Sequence, residues 1–140
     1  MTRSKYGNKK VVIDDITFHS KNEAKYYMHL KQLHNDGIVQ SFEMQVKYEL
    51  QPSFRKHGKL HRAITYITDF VVTYADGHIE VVDVKGMETT DFKIKKKLFE
   101  YRYPELSLKC VTYSKIDGGW IELDDLKKAR QSRKKAKNAK

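Results

Sequence analysis

Residues 66–86 read YITDFVVTYADGHIEVVDVKG, two β-branched runs joined by a turn, and each run carries a lone aspartate, Asp69 and Asp83. Strand interiors disfavour Asp, and like charges facing each other across two strands destabilise a sheet unless something neutralises them. The turn Ala75-Asp76-Gly77 admits two registers. A two-residue Asp-Gly turn puts the aspartates on opposite faces. A three-residue loop, with Gly77 left-handed and forming a bulge, pairs Tyr74 with His78 and brings Asp69 opposite Asp83. In that register Lys85 faces Ile67, and two carboxylates and an ammonium converge on one face. The Cβ atoms of such a pair stand about 4.5–5.5 Å apart. A hard divalent cation, which takes oxygen ligands, turns that repulsion into a site.

The run Asp83-Val84-Lys85 adds chemistry, because residues two apart on a strand point the same way and Lys85 can reach a metal-bound water. Mg²⁺ binds through few carboxylates, keeps several waters, polarises a phosphoryl oxygen and lowers the pKa of an attacking water. Lysine suits the task of orienting or deprotonating that water, or of steadying the developing phosphorane charge. The plain alternative is an Asp–Lys ion pair near a strand end.

Upstream of this stretch, KKVVIDDITFHS is predicted to form a short strand, and Ser20-Lys21-Asn22-Glu23 has the form of a capping box that opens a helix. Ala24, Tyr27, Leu30 and Leu33 or His34 recur near helical spacing, and Asn35-Asp36-Gly37 supplies the stop. Phe42, Met44, Val46, Tyr48 and Leu50 alternate with Glu43, Gln45, Lys47 and Glu49, the period of a strand with one buried face. Residues 51–61, QPSFRKHGKLH, are predicted to be a polar loop. Downstream, TDFKIKKKLFEYRY has a helical pattern opening at Thr89 or Thr90 and closed by Pro104. Leu106 to Ser114 forms a further strand. Trp120 and Ile121 then pack back on the sheet before Asp124 or Asp125 opens a basic terminal helix. The order of the core is helix, three strands, helix, strand.

The chain has 140 residues, suited to one domain with a real core, and a formal charge of +10. Its last fourteen residues, KKARQSRKKAKNAK, hold eight Lys or Arg and no acid, so residues 1–126 carry only +2 once those eight are removed. The expected division is a domain over 1–126 and a basic tail over 127–140, a tail that fits phosphate backbones by charge alone. No apolar run is long enough to span a membrane, and MTRSKYGNKK lacks the apolar segment of a signal peptide, so no membrane partner is expected and the expected location is cytoplasmic. Cys110, the single cysteine, excludes an intramolecular disulfide and a Cys-based zinc site and is expected to be a small buried hydrophobe. His29, His34, His57 and His61 lack the spacing of a zinc site. Gln45 is expected to be a solvated strand residue.

Taken together, Asp69, thirteen intervening residues, Asp83-Val84-Lys85 and the flanking order of helix and strands resemble the PD-(D/E)XK nucleases with their restriction-endonuclease-like core, an α/β fold with a mixed sheet flanked by helices. FHSKNEAKYY (18–27), YITDFVV (66–72), VVDVKG (81–86) and DFKIKKKLF (91–99), followed by Tyr103-Pro104, look like the small phage-encoded endonucleases of that superfamily, some of which are Holliday junction resolvases acting in DNA recombination. The resemblance covers about residues 10–115. Thr68 stands where the name-giving motif has proline, and Asp83 where Glu is commoner. The resemblance implies a Mg²⁺-dependent DNA endonuclease, with Mn²⁺ as the substitute metal, acting on branched or structured DNA, in the host cell cytoplasm if phage-encoded. It implies that Asp69 and Asp83 hold the metal with the Val84 backbone carbonyl, that Lys85 serves the attacking water, and that Glu23 adds an acid to the metal or its waters. A capping box explains Glu23 equally without catalysis. A resolvase making paired cuts implies a homodimer. Lys93, Lys96 and Lys97, with Lys95 beside them, and Arg130, Arg133, Lys134 and Lys135 in the tail are the expected contacts to the DNA backbone. The rival from another class is a non-catalytic nucleic-acid-binding protein on a nuclease-like fold.

Overall fold

The structure is a computed structural model and describes residues 10–138. The first nine residues, read above as lacking a signal segment, and the last two of the basic tail lie outside the described residues. The fold is α/β, with a mixed five-stranded sheet flanked by helices. In chain order the elements are β1 (Val11–Ile13), β2 (Ile16–Phe18), α1 (Lys21–Asn35), β3 (Val39–Gln51), β4 (Phe54–Lys56), β5 (Lys59–His61), β6 (Ile64–Tyr74), β7 (Ile79–Val84), α2 (Thr90–Arg102), β8 (Leu108–Ser114), β9 (Gly119–Glu122) and α3 (Leu123–Asn138). The sheet order is β3-β6-β7-β8-β9. β3–β6, β6–β7 and β8–β9 are antiparallel. Val81 N–H donates to Ser107 O and Lys85 N–H to Val111 O, both at 3.0 Å. That constant offset makes β8 parallel to β7, with α2 as the crossover between them.

The chain clusters into two compact units, one made of the segment ending at Gln32, Val84–Met87 and the chain from Cys110, the other of Leu33–Asp83 and Glu88–Lys109. In the second unit β3 alternates as its sequence requires, with Glu43, Gln45, Lys47 and Glu49 exposed and Leu50 buried. On β6, Tyr66, Thr68, Phe70 and Val72 are buried. α2 covers this face with Phe92 and Phe99. Tyr48 meets Phe99 edge-on at 5.1 Å between ring centroids, and Tyr66 lies 6.0 Å from Phe92. Thr89 Oγ1 accepts from Phe92 N–H at 3.1 Å and starts α2. Before Pro104, Tyr103 N–H closes the helix on Phe99 O at 2.8 Å, and Tyr103 Oη donates to Glu49 O.

In the first unit Ser20 Oγ accepts from Glu23 N–H at 3.1 Å, as expected of the cap that opens α1. Phe18 packs on Tyr27 at 5.1 Å, and Tyr26 meets Trp120 edge-on at 4.9 Å. α3 begins at Leu123, slightly before the expected Asp124 or Asp125. Leu123 and Leu126 are buried, and from Lys127 onward the helix is exposed except at the half-buried Ala129. Cys110 is buried, as a small hydrophobe should be.

Two expectations are corrected. KKVVIDDITFHS forms a hairpin of two three-residue strands, because Asp14 and Asp15 both take left-handed backbone (φ 53° and 65°), the geometry of a tight two-residue turn. The polar loop over 51–61 contains a second hairpin, β4–β5, turned at His57 and Gly58 with φ 52° and 75°. Phe54 and His61 stack across it at 4.7 Å.

Candidate active site

The aspartate register follows from the turn. Gly77 is left-handed (φ 95°), Gly77 N–H donates to Tyr74 O, and Tyr74 N–H donates to His78 O at 2.9 Å. The three-residue loop is therefore the one formed. Phe70↔Val82 is the last paired position, and the next step along both strands sets Asp69 against Asp83. Asp83 is buried, at 2 % exposure, whereas Asp69 is half-buried.

One hydrogen bond joins the two residues directly. Asp69 N–H donates to Asp83 Oδ1 at 2.8 Å. The β6–β7 ladder ends at Phe70↔Val82, and regular strand alternation would turn the Asp69 donor away from β7, so this bond belongs to the irregular backbone beyond the ladder. Between Met44↔Phe70 and Val46↔Thr68 the residue level with Asp69 is Gln45, and there β3 leaves extended conformation, with Gln45 at φ 53°. The Asp83 carboxylate is fixed by one oxygen to the backbone of its neighbour.

Asp69 and Asp83 belong to the second unit, and Glu23, Val84 and Lys85 to the first. Glu23 sits buried in the first turn of α1, at 6 % exposure, and Lys85 is half-buried just beyond the end of β7. Among the described residues no group of three or more His, Cys, Asp or Glu is gathered so as to hold a metal ion. The pair Asp69 and Asp83 nonetheless fits Mg²⁺ in donor type, since that ion takes oxygen ligands, needs only one or two carboxylates and fills the rest of its octahedron with water.

Of the lysines expected on DNA, Lys93 and Lys97 are exposed on α2, Lys95 is half-buried, and Lys96 lies 4.0 Å from Glu88. In α3, Arg130, Lys134 and Lys135 are exposed, and Arg133 pairs with Asp117. Sequence reasoning missed the basic hairpin β4–β5. Its signal was present: residues 50–68 contain Arg55, Lys56, Lys59 and Arg62 and no acid.

Residues 3–118 match the family described as a protein of unknown function, DUF1064, and the chain belongs to that family. The match takes in Glu23, Asp69, Asp83 and Lys85 and stops before β9 and α3. Among curated proteins none matches the chain in sequence. No helix among the described residues is long and apolar enough to cross a membrane.

Proposed function

We propose that the chain is a metal-dependent DNA endonuclease with a restriction-endonuclease-like core, hydrolysing phosphodiesters in branched or forked DNA. The observation that carries it is the juxtaposition of Asp69 and Asp83, two acids on neighbouring strands with the buried one held by the other's backbone amide at 2.8 Å. Two carboxylates facing each other on neighbouring strands supply the oxygen ligands that a hard divalent cation takes. Mg²⁺, or Mn²⁺ in its place, would supply Lewis-acid polarisation of the phosphoryl oxygen and a more acidic water. Asp69 and Asp83 would hold it, helped by the Val84 carbonyl. The resemblance to PD-(D/E)XK nucleases would give Lys85 the role of orienting the attacking water and Glu23 that of a further acid. If the protein resolves four-way junctions, it acts as a homodimer making paired cuts.

The test is cleavage of linear, forked and four-way DNA with Mg²⁺ on a denaturing gel. Asp83→Asn and Lys85→Ala are each expected to lose at least about 100-fold in rate, roughly 2.7 kcal/mol of transition-state stabilisation, while binding DNA normally in EDTA. Variants within tenfold of wild type would sink the assignment. Binding with no cleavage by the wild type would leave the non-catalytic reading.

A further inference from the structure

We infer that the β4–β5 hairpin is a clamp for the backbone of duplex DNA. The inference rests on DNA being the substrate, and it adds the part of the chain that grips it. Residues 50–68 hold four Lys or Arg and no acid, whereas residues 1–126 as a whole carry +2, so the rest of that segment is net −2. With residues 1–13, which hold Arg3, Lys5, Lys9 and Lys10, it is among the acid-free basic stretches of that domain.

The hairpin is built to present that charge. Every residue from Phe54 to Leu60 is exposed, including Phe54 at 42 % and Leu60 at 49 %. Lys56 and Lys59 are direct cross-strand partners, and Arg55 faces Leu60. Directly opposed like charges cost a two-stranded ribbon stability, and a ribbon this short has little to spare. That arrangement makes sense when an anion lies between or above the two ammonium groups. The Phe54–His61 stack braces the root of the hairpin, and the left-handed His57-Gly58 turn keeps its tip narrow. A two-stranded ribbon fits the major groove of B-DNA, and lysines on phosphates position a protein without reading sequence.

The placement suits the proposed chemistry. The hairpin connects β3 to β6, and Asp69 lies five residues into β6, no more than about 17 Å along the strand from Ile64. Counted from Lys59 the path is ten residues, at most about 34 Å of extended chain and no longer than one helical repeat of duplex DNA, so one arm can meet both the clamp and the acid pair.

The test is fluorescence anisotropy with a labelled duplex in EDTA, where no cleavage occurs, titrated with salt. For Lys56→Ala/Lys59→Ala the slope of log K against log salt is expected to fall by about 1.8, two phosphates at roughly 0.9 each, with thermal stability unchanged or raised. A second variant, Lys59→Glu, places an acid opposite Lys56, a pairing that favours the hairpin, and is expected to keep the fold and lose more affinity. A wild-type slope in either folded variant overturns the clamp. The same assay on Asp83→Asn, run beside the cleavage gel with Mg²⁺, keeps the two ideas apart: wild-type binding in EDTA with retained cleavage in Mg²⁺ overturns the acid-pair site and leaves the clamp standing.

Discussion

Thr68 shows how closely the acid pair sits to the apolar core. It is fully buried on β6, one residue before Asp69, and its Oγ1 has no hydrogen-bond partner among the described residues; the Tyr66 hydroxyl is in the same position. Leaving a buried hydroxyl unpaired costs about 1–3 kcal/mol. Thr68→Val keeps the β-branched shape that suits a strand and removes the hydroxyl, so it is expected to stabilise the protein by about 1 kcal/mol, seen as a higher urea midpoint with an unchanged m-value. A lower midpoint would mean that the hydroxyl is satisfied. At this scale the candidate site was legible in part. Asp69 and Asp83 stand out as acids in strand interiors, and the Ala75-Asp76-Gly77 turn offers the register that pairs them. The bond from Asp69 N–H to Asp83 Oδ1 was not legible, because it joins residues on two strands just beyond the end of their regular pairing, where no local pattern sets the backbone.

Among the elements, the β6–β7 hairpin is held at its far end by Glu80, which accepts from Tyr74 Oη and pairs with Lys109 on β8. Burial alone would raise the Glu80 carboxyl, but the hydrogen bonds from Lys109 and Tyr74 outweigh it and hold it below the ordinary glutamate range. A carboxyl whose pKa is lowered by folding adds stability that is complete above its unfolded pKa and is lost as pH falls through the folded value. Glu80→Gln is therefore expected to cost about 1–2 kcal/mol at neutral pH, the worth of charge-assisted hydrogen bonds, and progressively less in acid. Parallel urea titrations of the two proteins from pH 7 downward measure it; a difference constant with pH would exclude ionisation as its origin. The long elements were legible because their periods are long. Thirteen alternating residues define β3, and the Ser20 and Thr89 caps locate α1 and α2. The hairpins β1–β2 and β4–β5 escaped because strands of three residues show no period, and Asp14-Asp15 and His57-Gly58 reverse the chain without the usual Asn-Gly or Asp-Gly pair.

For the whole molecule, charge and fold separate cleanly at Lys127. Leu123 and Leu126 anchor the start of α3, whereas the seven described basic residues beyond them are exposed. Besides its pairing with Arg133, Asp117 accepts from Ser114 Oγ at 2.6 Å, a bond in which the tail has no part. Deleting residues 127–140 is thus expected to leave the thermal midpoint within a few degrees of wild type and to flatten the salt dependence of duplex binding, by about 0.9 for each phosphate the tail neutralises. An unchanged slope would make the tail a solubilising end with no part in DNA binding.

The left-handed Gln45 has a further consequence, for the company the protein keeps. β3 is an edge of the sheet among the described residues and is thirteen residues long. An extended edge of that length presents a row of backbone donors and acceptors on which a strand from another molecule can align, the first step of aggregation. At mid-length Gln45 breaks the row, and an arriving strand finds only about half of it continuous. Gln45→Val, which favours extended backbone, is expected to straighten the edge and raise light scattering in concentrated solution above that of wild type. Equal scattering would place the protection in the charges of Glu43, Lys47 and Glu49 alone. The kink at Gln45, level with Asp69 on the neighbouring strand, would then serve to keep each molecule from enlisting the next.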